Sequence, residues 1–446
     1  MFKRNLTFLG GVLIPQNKQF TETKQLEYCK IPELVTIPLQ QHIGAPCQVL
    51  VKKGDKVLLG QKIGQPRGYV GAPVHSSVSG TVKSIESVDI PNGGKASAVI
   101  ISNDGQDQLD ESIKPVDFEK LNGNELKNII MESGIVGMGG AVFPTHVKLS
   151  PPIEKKIDYV ILNGSESEPY LTSDYRLMLE HPEDVIDGLK IIMKILNASE
   201  GYIGIEDNKP QAIKTISDAS RNEKTIYVKS LRSKFPQGSE KQLIKVITNR
   251  VVPSGKLPMD VGVVVQNVST AAAIARAIKT GKPLYERIVT VSGGAVREPK
   301  NLIVRIGTSF KDVIDFCGGF KEEPIKVIEG GPMMGTAQHT LNVPVVKGTS
   351  GILAFTKTEA FLRRSSNCIR CGRCSSVCPI RLIPFKISTH SLKGNMDEAE
   401  KLHVLDCIEC GSCSYICPAS RPLLQSIKVA KKEIIEARKE KAQSLQ

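Results

Sequence analysis

Cysteine spacing constrains this chain more than any other feature. Eight of its eleven cysteines lie between residues 368 and 417, in two runs of one pattern, C-x2-C-x2-C-x3-C-P. "CIRCGRCSSVCP" carries Cys368, Cys371, Cys374 and Cys378 before Pro379; "CIECGSCSYICP" carries Cys407, Cys410, Cys413 and Cys417 before Pro418. Three thiolates stepped by three residues wrap one face of a metal–sulfur cube, because each step turns the side chain around the metal. The small residues between them, Gly372 and Ser375 in one run and Gly411, Ser412 and Ser414 in the other, let backbone N–H groups approach the sulfides. The proline after each fourth cysteine stops the segment from continuing as a plain helix. Zinc sites usually use two C-x2-C pairs or Cys/His mixtures, and disulfides are disfavoured in a reducing compartment. Iron–sulfur chemistry is the reading that remains.

The spacing is that of two-cluster bacterial-type ferredoxins, in which the fourth cysteine of each run ligates the other cluster. One [4Fe-4S] cluster is thus expected on Cys368, Cys371, Cys374 and Cys417, the other on Cys407, Cys410, Cys413 and Cys378. The runs start 39 residues apart, at 368 and 407, a longer gap than in a minimal ferredoxin. The insert "HSLKGNMDEAEKLHVLD" has Met396, Ala399, Leu402 and Leu405 near a helical period, which predicts a helical ferredoxin domain. Cys29, Cys47 and Cys317 lack ligand spacing and read as buried or incidental thiols.

At 446 residues the chain can hold three or four domains. Forty per cent of it is hydrophobic, an ordinary globular composition. No apolar run is long enough for a membrane span, and the N-terminus lacks an h-region and cleavage site, so a cytosolic protein is expected. The net charge is +13, and residues 361–446 contribute 15 Lys/Arg against 8 Asp/Glu. A basic region suits nucleic acid, anionic lipid or an acidic protein partner. With no interleaved aromatics and no nucleic-acid motif, no nucleic-acid partner is expected.

Residues 31–102 alternate short β-branched runs with glycine turns, which predicts a small β-sandwich or barrel. The half-motifs G-D-x-V-x-x-G-Q and S-x-V-x-G-x-V resemble biotinyl/lipoyl-like barrel-sandwich domains. The stretch "VHSSVS" has no lysine where a carrier domain presents one, so a structural or docking module is expected. Residues 117–280 alternate strands and helices, the pattern of an α/β sheet with ligands at strand ends. Residues 285–345 read as two strands, a turn and a helix. The last twenty residues read as a charged helix, free or docked on a partner.

"VGMGGAVFPTHVK", residues 136–148, bares the backbone at Gly137, Gly139 and Gly140 and places Lys148 at its far end. It lacks the Gly-Lys-Ser/Thr of a Walker loop and the third glycine of a dinucleotide fingerprint. Bare N–H groups can still close around an anion beside a lysine, or the segment can be a tight helix-to-strand turn.

Four stretches decide between these. "GMGGAVFPTHVK" is similar to the glycine loop of the flavin-bearing, NADH-oxidising subunit of respiratory complex I. "NGSESEP" resembles that family's N-A-D-E-S-E-P segment, and "PQGSEKQL" and "QNVSTAAAI" fall where it has Cys-Gly-Glu-Glu-Thr and N-N-V-E-T. The front segments "IPLQQHIGAP" and "APVHSSVSG", with the two-cluster tail, resemble the RnfC family, a component of Rnf-type membrane NAD:ferredoxin oxidoreductases. The resemblance covers nearly the whole chain. It implies that Gly137, Gly139, Gly140 and Lys148 wrap FMN and that Phe143 stacks on the nucleotide adenine. Asn163 and Glu166 would meet the flavin, with Glu168 near the nicotinamide or its ribose. Gly238 and Glu240 would line the next loop, and Asn267 and Thr270 would hold the phosphate side. The chain departs from the pattern at Ser165, Ser239 and Gln266, where the family has Asp, Glu and Asn. Glu166 and Glu168 also fit a solvated acidic loop.

The expected fold is multidomain α/β and α+β: an N-terminal arm and barrel-sandwich (1–114), an FMN/NADH α/β domain (115–280), a β-grasp-like module (281–350), a helical two-cluster ferredoxin domain (351–426) and a charged helix (427–446). NADH releases two electrons as hydride whereas a cluster takes one at a time, so a flavin between them is the required converter. No side-chain nucleophile is needed, and His75 and His146 read as structural. The resemblance implies integral membrane partner subunits, a ferredoxin-type iron–sulfur partner and a peripheral place on the cytoplasmic face of the cell membrane. Two other readings fit the same modules: a soluble relative serving an amino-acid reductase or a corrinoid, and a non-catalytic iron–sulfur docking protein.

Overall fold

The computed structural model describes residues 6–360 and 364–443. Its centre is a four-stranded parallel sheet in the order Ile226–Leu231, Glu200–Glu206, Tyr159–Gly164, Val263–Asn267. Val160, Ile161, Leu162, Ile203, Ile205 and Val263 are fully buried, as expected where helices cover both faces of a parallel sheet. Helix Pro182–Leu196 begins on a proline, whose missing N–H costs nothing in the first turn. It packs on helix Val268–Thr280 so closely that a Cβ at Gly188 would stand 2.0 Å from the Ala271 carbonyl oxygen. The chain runs outward from Tyr159–Gly164 through two strands and returns to its other side with Val263–Asn267. That reversal is a topological switch point, where open α/β sheets bind ligands at the carboxyl ends of their strands. Asn163 and Asn267 pair in register at those ends.

Residues 34–103 form two antiparallel sheets around Val35, Ile37, Ile63, Val74, Val82, Val99 and Ile101, the expected barrel-sandwich. The lysine-less "VHSSVS" stretch is buried, and the Ser77 hydroxyl donates to the Ile306 carbonyl at 2.5 Å. It is a docking face between domains, with no free tip.

The third sheet is larger than the predicted two-strand module. It has six strands, in the order Leu26–Tyr28, Lys300–Arg305, Glu286–Ser292, Gly351–Phe355, Lys326–Glu329, Thr336–Gln338. Two boundaries of the sequence reading therefore shift. Gly351–Phe355, placed at the start of the ferredoxin domain, lies in the interior of this sheet with all five residues buried. Leu26–Tyr28, placed in the N-terminal arm, pairs in parallel with Lys300–Arg305. The predicted terminal helix begins earlier, at Leu423, and its Leu423, Ile427, Ala430 and Ile434 fill the core of the cysteine-bearing domain. Residues 444–446 of that predicted helix lie outside the described residues. The insert between the cysteine runs is two helices, Pro384–Ser391 and Met396–Lys401, separated by a turn with Gly394 at φ 72°. Cys29, Cys47 and Cys317 are buried; burial pushes the Cys29 thiol up to about 11 and the Cys317 thiol up to about 12.

Candidate functional site

A cavity of about 720 Å³ opens at the switch point, within the usual range for small-molecule sites. Eight of the twelve residues predicted to touch a cofactor line it: Gly139, Gly140, Asn163, Glu166, Glu168, Gly238, Glu240 and Asn267. The glycine loop enters from the helix Gly123–Glu132 and closes on itself, with Gly137 N–H donating to Phe143 O (2.8 Å) and Val142 N–H to Gly137 O (3.1 Å). It leads into a short helical turn, Thr145–Lys148, and not into a strand. Gly140 has φ 99°, and a Cβ there would meet nothing within 4 Å, so this backbone faces open space. At Gly139 a Cβ would touch the Asn267 side chain at 3.5 Å.

Four predicted residues sit off the cavity wall, each for a local reason. Gly137 and Phe143 are joined by the hydrogen bond that closes the loop. Thr270 is fully buried, and its hydroxyl accepts the Met138 N–H at 2.9 Å, anchoring the loop from the helix beneath. Lys148 forms an ion pair with Glu240 at 2.7 Å. The two acidic residues reach the wall but spend their carboxylates on backbone. Glu166, at φ 44°, accepts from the N–H groups of Asp174 (2.7 Å) and Tyr175 (3.2 Å) at the start of helix Ser173–Glu180. Glu168 accepts from the N–H groups of Met333 (3.0 Å) and Met334 (2.9 Å). Burial raises Glu168 to about 7 despite those two donors, and it raises Glu329, on the same wall, to about 7.

Beneath the acidic loop lies a residue the sequence reading did not find. Lys18, from the N-terminal arm, is buried and donates to the carbonyls of Glu166 (3.0 Å), Glu168 (3.0 Å) and Leu171 (2.6 Å). Burial, then the neighbouring Lys209, lowers its ammonium to about 8. Also missed were the second glycine-rich loop "GGPMMG", the barrel segment Gln40–His42, and Lys241. The glycine clustering of "GGPMMG" was the signal that could have found it; in the structure a Cβ at Gly331 would collide with the Glu168 carboxylate. The barrel also braces the glycine loop, with Ile43 N–H donating to Val142 O at 3.2 Å and the His146 Nε2–H donating to Tyr69 O at 2.9 Å.

The donors present fit a flavin mononucleotide. Bare backbone at Gly139 and Gly140 admits a flat ring, and helix Glu240–Thr248 starts on the cavity without a side-chain cap on its N–H groups. Lys241, in that first turn, lines the cavity as well. Uncapped N–H groups at a helix start, with a cation beside them, make a phosphate site.

On the far wall of the same cavity stand Ile408 and Cys410. Cys410 belongs with Cys407, Cys413 and Cys378: burial first, then Cys407, Cys410 and Cys378, push the Cys413 thiol up to about 12. Thiolate sulfur is a soft donor, and four cysteines brought together are the donor set that an iron–sulfur cluster takes. The other four, Cys368, Cys371, Cys374 and Cys417, surround a separate small void. Cys378 thus lies beside the cysteines of the second run, and Cys417 beside those of the first. Among the described residues no three His, Cys, Asp or Glu side chains close on a single metal ion. The two runs also share their turn geometry. Gly372 and Gly411 have φ 74° and 76°, and Arg370 N–H and Glu409 N–H each donate to the sulfur of the preceding run cysteine at 3.4 Å.

Family models match along the chain: the RnfC barrel sandwich hybrid domain at residues 6–106, the Nuo51 FMN-binding domain at 130–276, the SLBB domain at 288–337 and the 4Fe-4S dicluster domain at 361–418. The chain is 52% identical over 97% of its length to the corresponding component of the Na(+)-translocating ferredoxin:NAD(+) oxidoreductase complex of Acetobacterium woodii, covering 98% of that protein. It is 52% identical over 96% of its length to the proton-translocating counterpart of Clostridium ljungdahlii, covering 94% of it. With the counterpart from the ion-translocating oxidoreductase complex of Rhodobacter capsulatus it shares 41% identity over 99% of its length and 85% of that protein. Among the described residues no helix is long and apolar enough to cross a membrane. The chain belongs to the RnfC family, a component of ion-translocating ferredoxin:NAD(+) oxidoreductase complexes.

Proposed function

We propose that this chain is the NAD(H)-facing member of such a complex, exchanging hydride between NAD(H) and FMN and single electrons between FMN and partner subunits through two [4Fe-4S] clusters. The observation that carries this reading is the shared cavity: bare glycine backbone and an uncapped helix start form one wall, and a cysteine of the buried quartet stands on another. Bound there, FMN supplies acceptance of a two-electron hydride and release of single electrons to iron–sulfur centres.

The chain's own residues bind, orient and exclude water. Gly139 and Gly140 leave room for the ring. Asn163 donates to Gly238 O at 2.9 Å and accepts from Ser165 N–H at 3.1 Å, which locks the two loops on either side of the switch point. Lys241 and the start of helix Glu240–Thr248 would hold the phosphate. Asp174, holding Asn267 (2.7 Å) and Ser269 (2.5 Å), fixes the opposite rim. Phe235, Val12 and Ile14 pack around Cys410 and keep water from the buried quartet. None of these groups needs to act as a nucleophile.

The chain is held on the cytoplasmic face of the cell membrane by integral partner subunits of the complex, beside its ferredoxin-type iron–sulfur member. Supporting this are the ion-translocating complexes that its relatives' names describe and the basic excess near the cysteine domain. The test is anaerobic purification, FMN reconstitution and an NADH titration. Flavin bleaching followed by loss of cluster absorbance is the expected result. A protein with full iron that takes up no flavin would instead be an iron–sulfur docking protein.

A further inference from the structure

Behind the glycine loop lies a second cavity, of about 360 Å³, that the flavin reading does not use. It sits in the seam between helix Val268–Thr280 and the six-stranded sheet, and among the described residues Met138 alone lines both cavities. Its wall is largely apolar, with Leu177, Ala272, Ala273, Leu284, Ile288 and Ile303. The same lining carries four cations, Arg276, Lys279, Lys282 and Arg287, against two carboxylates, Asp184 and Glu286. Asp184 is already engaged by Arg276 at 2.8 Å and Lys279 at 3.4 Å, and Lys279 also meets Asp187 at 2.5 Å. Lys282 and Arg287 have no ion-pair partner among the described residues.

Arg287 is the unusual member. It is 4% exposed, its Nε has no acceptor, and its Nη2 donates to the Met138 carbonyl at 3.2 Å. Burial lowers the guanidinium to about 10, and Asp174 and Glu329, outside ion-pair range, offset this only in part. The group therefore stays charged at neutral pH, and a buried charge without a counter-ion is costly. Pinning one carbonyl does not call for a guanidinium with five donors. An unpaired guanidinium and a free lysine over an apolar wall are what a small organic anion needs: charge for its head and a dry surface for its body. Arg287 and Thr270 also grip Met138 from its carbonyl and its N–H, one residue before Gly139 of the flavin cavity.

We propose that this second cavity binds a small organic anion, an acidic head on an apolar body, and that its occupancy loosens the flavin loop through Arg287 and Met138. The anion draws the guanidinium away from the Met138 carbonyl, and Gly139 loses part of its support. The coupling rests on the FMN reading above. The site does not, because it is titrated in flavin-free protein, so a chain that takes up no flavin would still decide it.

The test titrates the full chain, with its clusters and without flavin, calorimetrically with anilinonaphthalene sulfonate, and with neutral anilinonaphthalene as the uncharged control. The sulfonate should bind at least about tenfold more tightly than the neutral compound. Arg287→Met should cost the sulfonate about tenfold and remove that preference. Ala273 lines this cavity and not the flavin cavity, so Ala273→Phe should fill the site and abolish this binding, with iron content and FMN affinity unchanged. In wild type, saturating sulfonate should weaken FMN binding about fivefold or more, read by fluorescence quenching, and FMN should weaken the sulfonate by the same factor. Ala273→Phe should erase that effect, which direct competition in the flavin cavity would leave intact. The site is overturned if the sulfonate binds no better than the neutral compound, or if both variants leave its isotherm unchanged. Sulfonate binding that leaves FMN affinity unaltered, or an FMN effect that survives in Ala273→Phe, overturns the coupling.

Discussion

The two cysteine runs teach how one motif serves two environments. The buried quartet is closed in by the N-terminal arm, where Gly11 N–H donates to Val377 O at 2.8 Å and a Cβ at Gly10 would stand 2.9 Å from the Cys378 carbonyl oxygen. It is also closed in by the second glycine loop, whose Met333 carbonyl would meet a Cβ at Gly411 at 3.1 Å. Among the described residues the outer quartet has no such cover on Cys368 and Cys371, which are exposed. Neither difference is written in the cysteines. It comes from what the rest of the chain packs against each copy.

The largest expected effect severs both quartets from their source of electrons. Gly139→Val adds two methyl groups beyond a Cβ already touching Asn267, which places them in the cavity. NADH-dependent cluster reduction should vanish while iron content and the dithionite-reduced spectrum stay normal. Because Gly139 lacks a left-handed φ, the backbone tolerates the change, and joint loss of fold and clusters would speak against a cavity role.

Next in size is the crossed ligation. Cys378→Ser lies in the first run but should remove the buried cluster, and Cys417→Ser in the second run should remove the outer one. Each should leave about half the iron of a two-cluster protein. Iron analysis with electron paramagnetic resonance checks this. If Cys378→Ser instead perturbs the cluster of its own run, ligation is uncrossed.

Lys18→Met should give a middling effect. It leaves three carbonyls of the acidic loop without their cation, a loss of about 1.5–3 kcal/mol for charge-assisted bonds. Flavin affinity, read by fluorescence quenching, should fall about tenfold, with both clusters retained. Unchanged affinity would show that the arm does not hold the loop.

The smallest effect is a pH dependence. Glu168 and Glu329 are both raised to about 7 by burial. As pH rises through 7 each gains a negative charge on the cavity wall and opposes an anionic nucleotide, so binding should weaken a few-fold between about pH 6 and 8. Stability has the same sign. A carboxyl raised in the folded state binds more protons folded than unfolded between its ordinary value and 7, so stability falls as pH climbs through that window. Glu329→Gln should flatten the binding profile by about half; an unaltered profile would place the titration elsewhere.

The clusters and the glycine loop were legible because their signals are local: ligand steps of three residues and a bare backbone over four. What stayed hidden is long-range. Lys18 meets carbonyls about 150 positions away. The strands Leu26–Tyr28 and Gly351–Phe355 are too short to show a period, and they find partners in a sheet otherwise built from residues 286–338. Glu166 and Glu168 read as ligand-facing because their motif says so, yet their oxygens close loops. Which quartet faces inward was visible only as Arg370 against Glu409, a difference that means nothing until packing assigns the copies to cover and to solvent.

The central claim is that electrons enter at the cavity, cross the buried quartet and reach the outer one. Rapid mixing of NADH with FMN-loaded single-cluster variants tests it most directly. In Cys417→Ser, which keeps only the buried cluster, NADH should reduce that cluster at the wild-type rate. In Cys378→Ser, which keeps only the outer cluster, reduction should slow by orders of magnitude although dithionite still reduces it. Wild-type reduction of the outer cluster in Cys378→Ser would contradict the account.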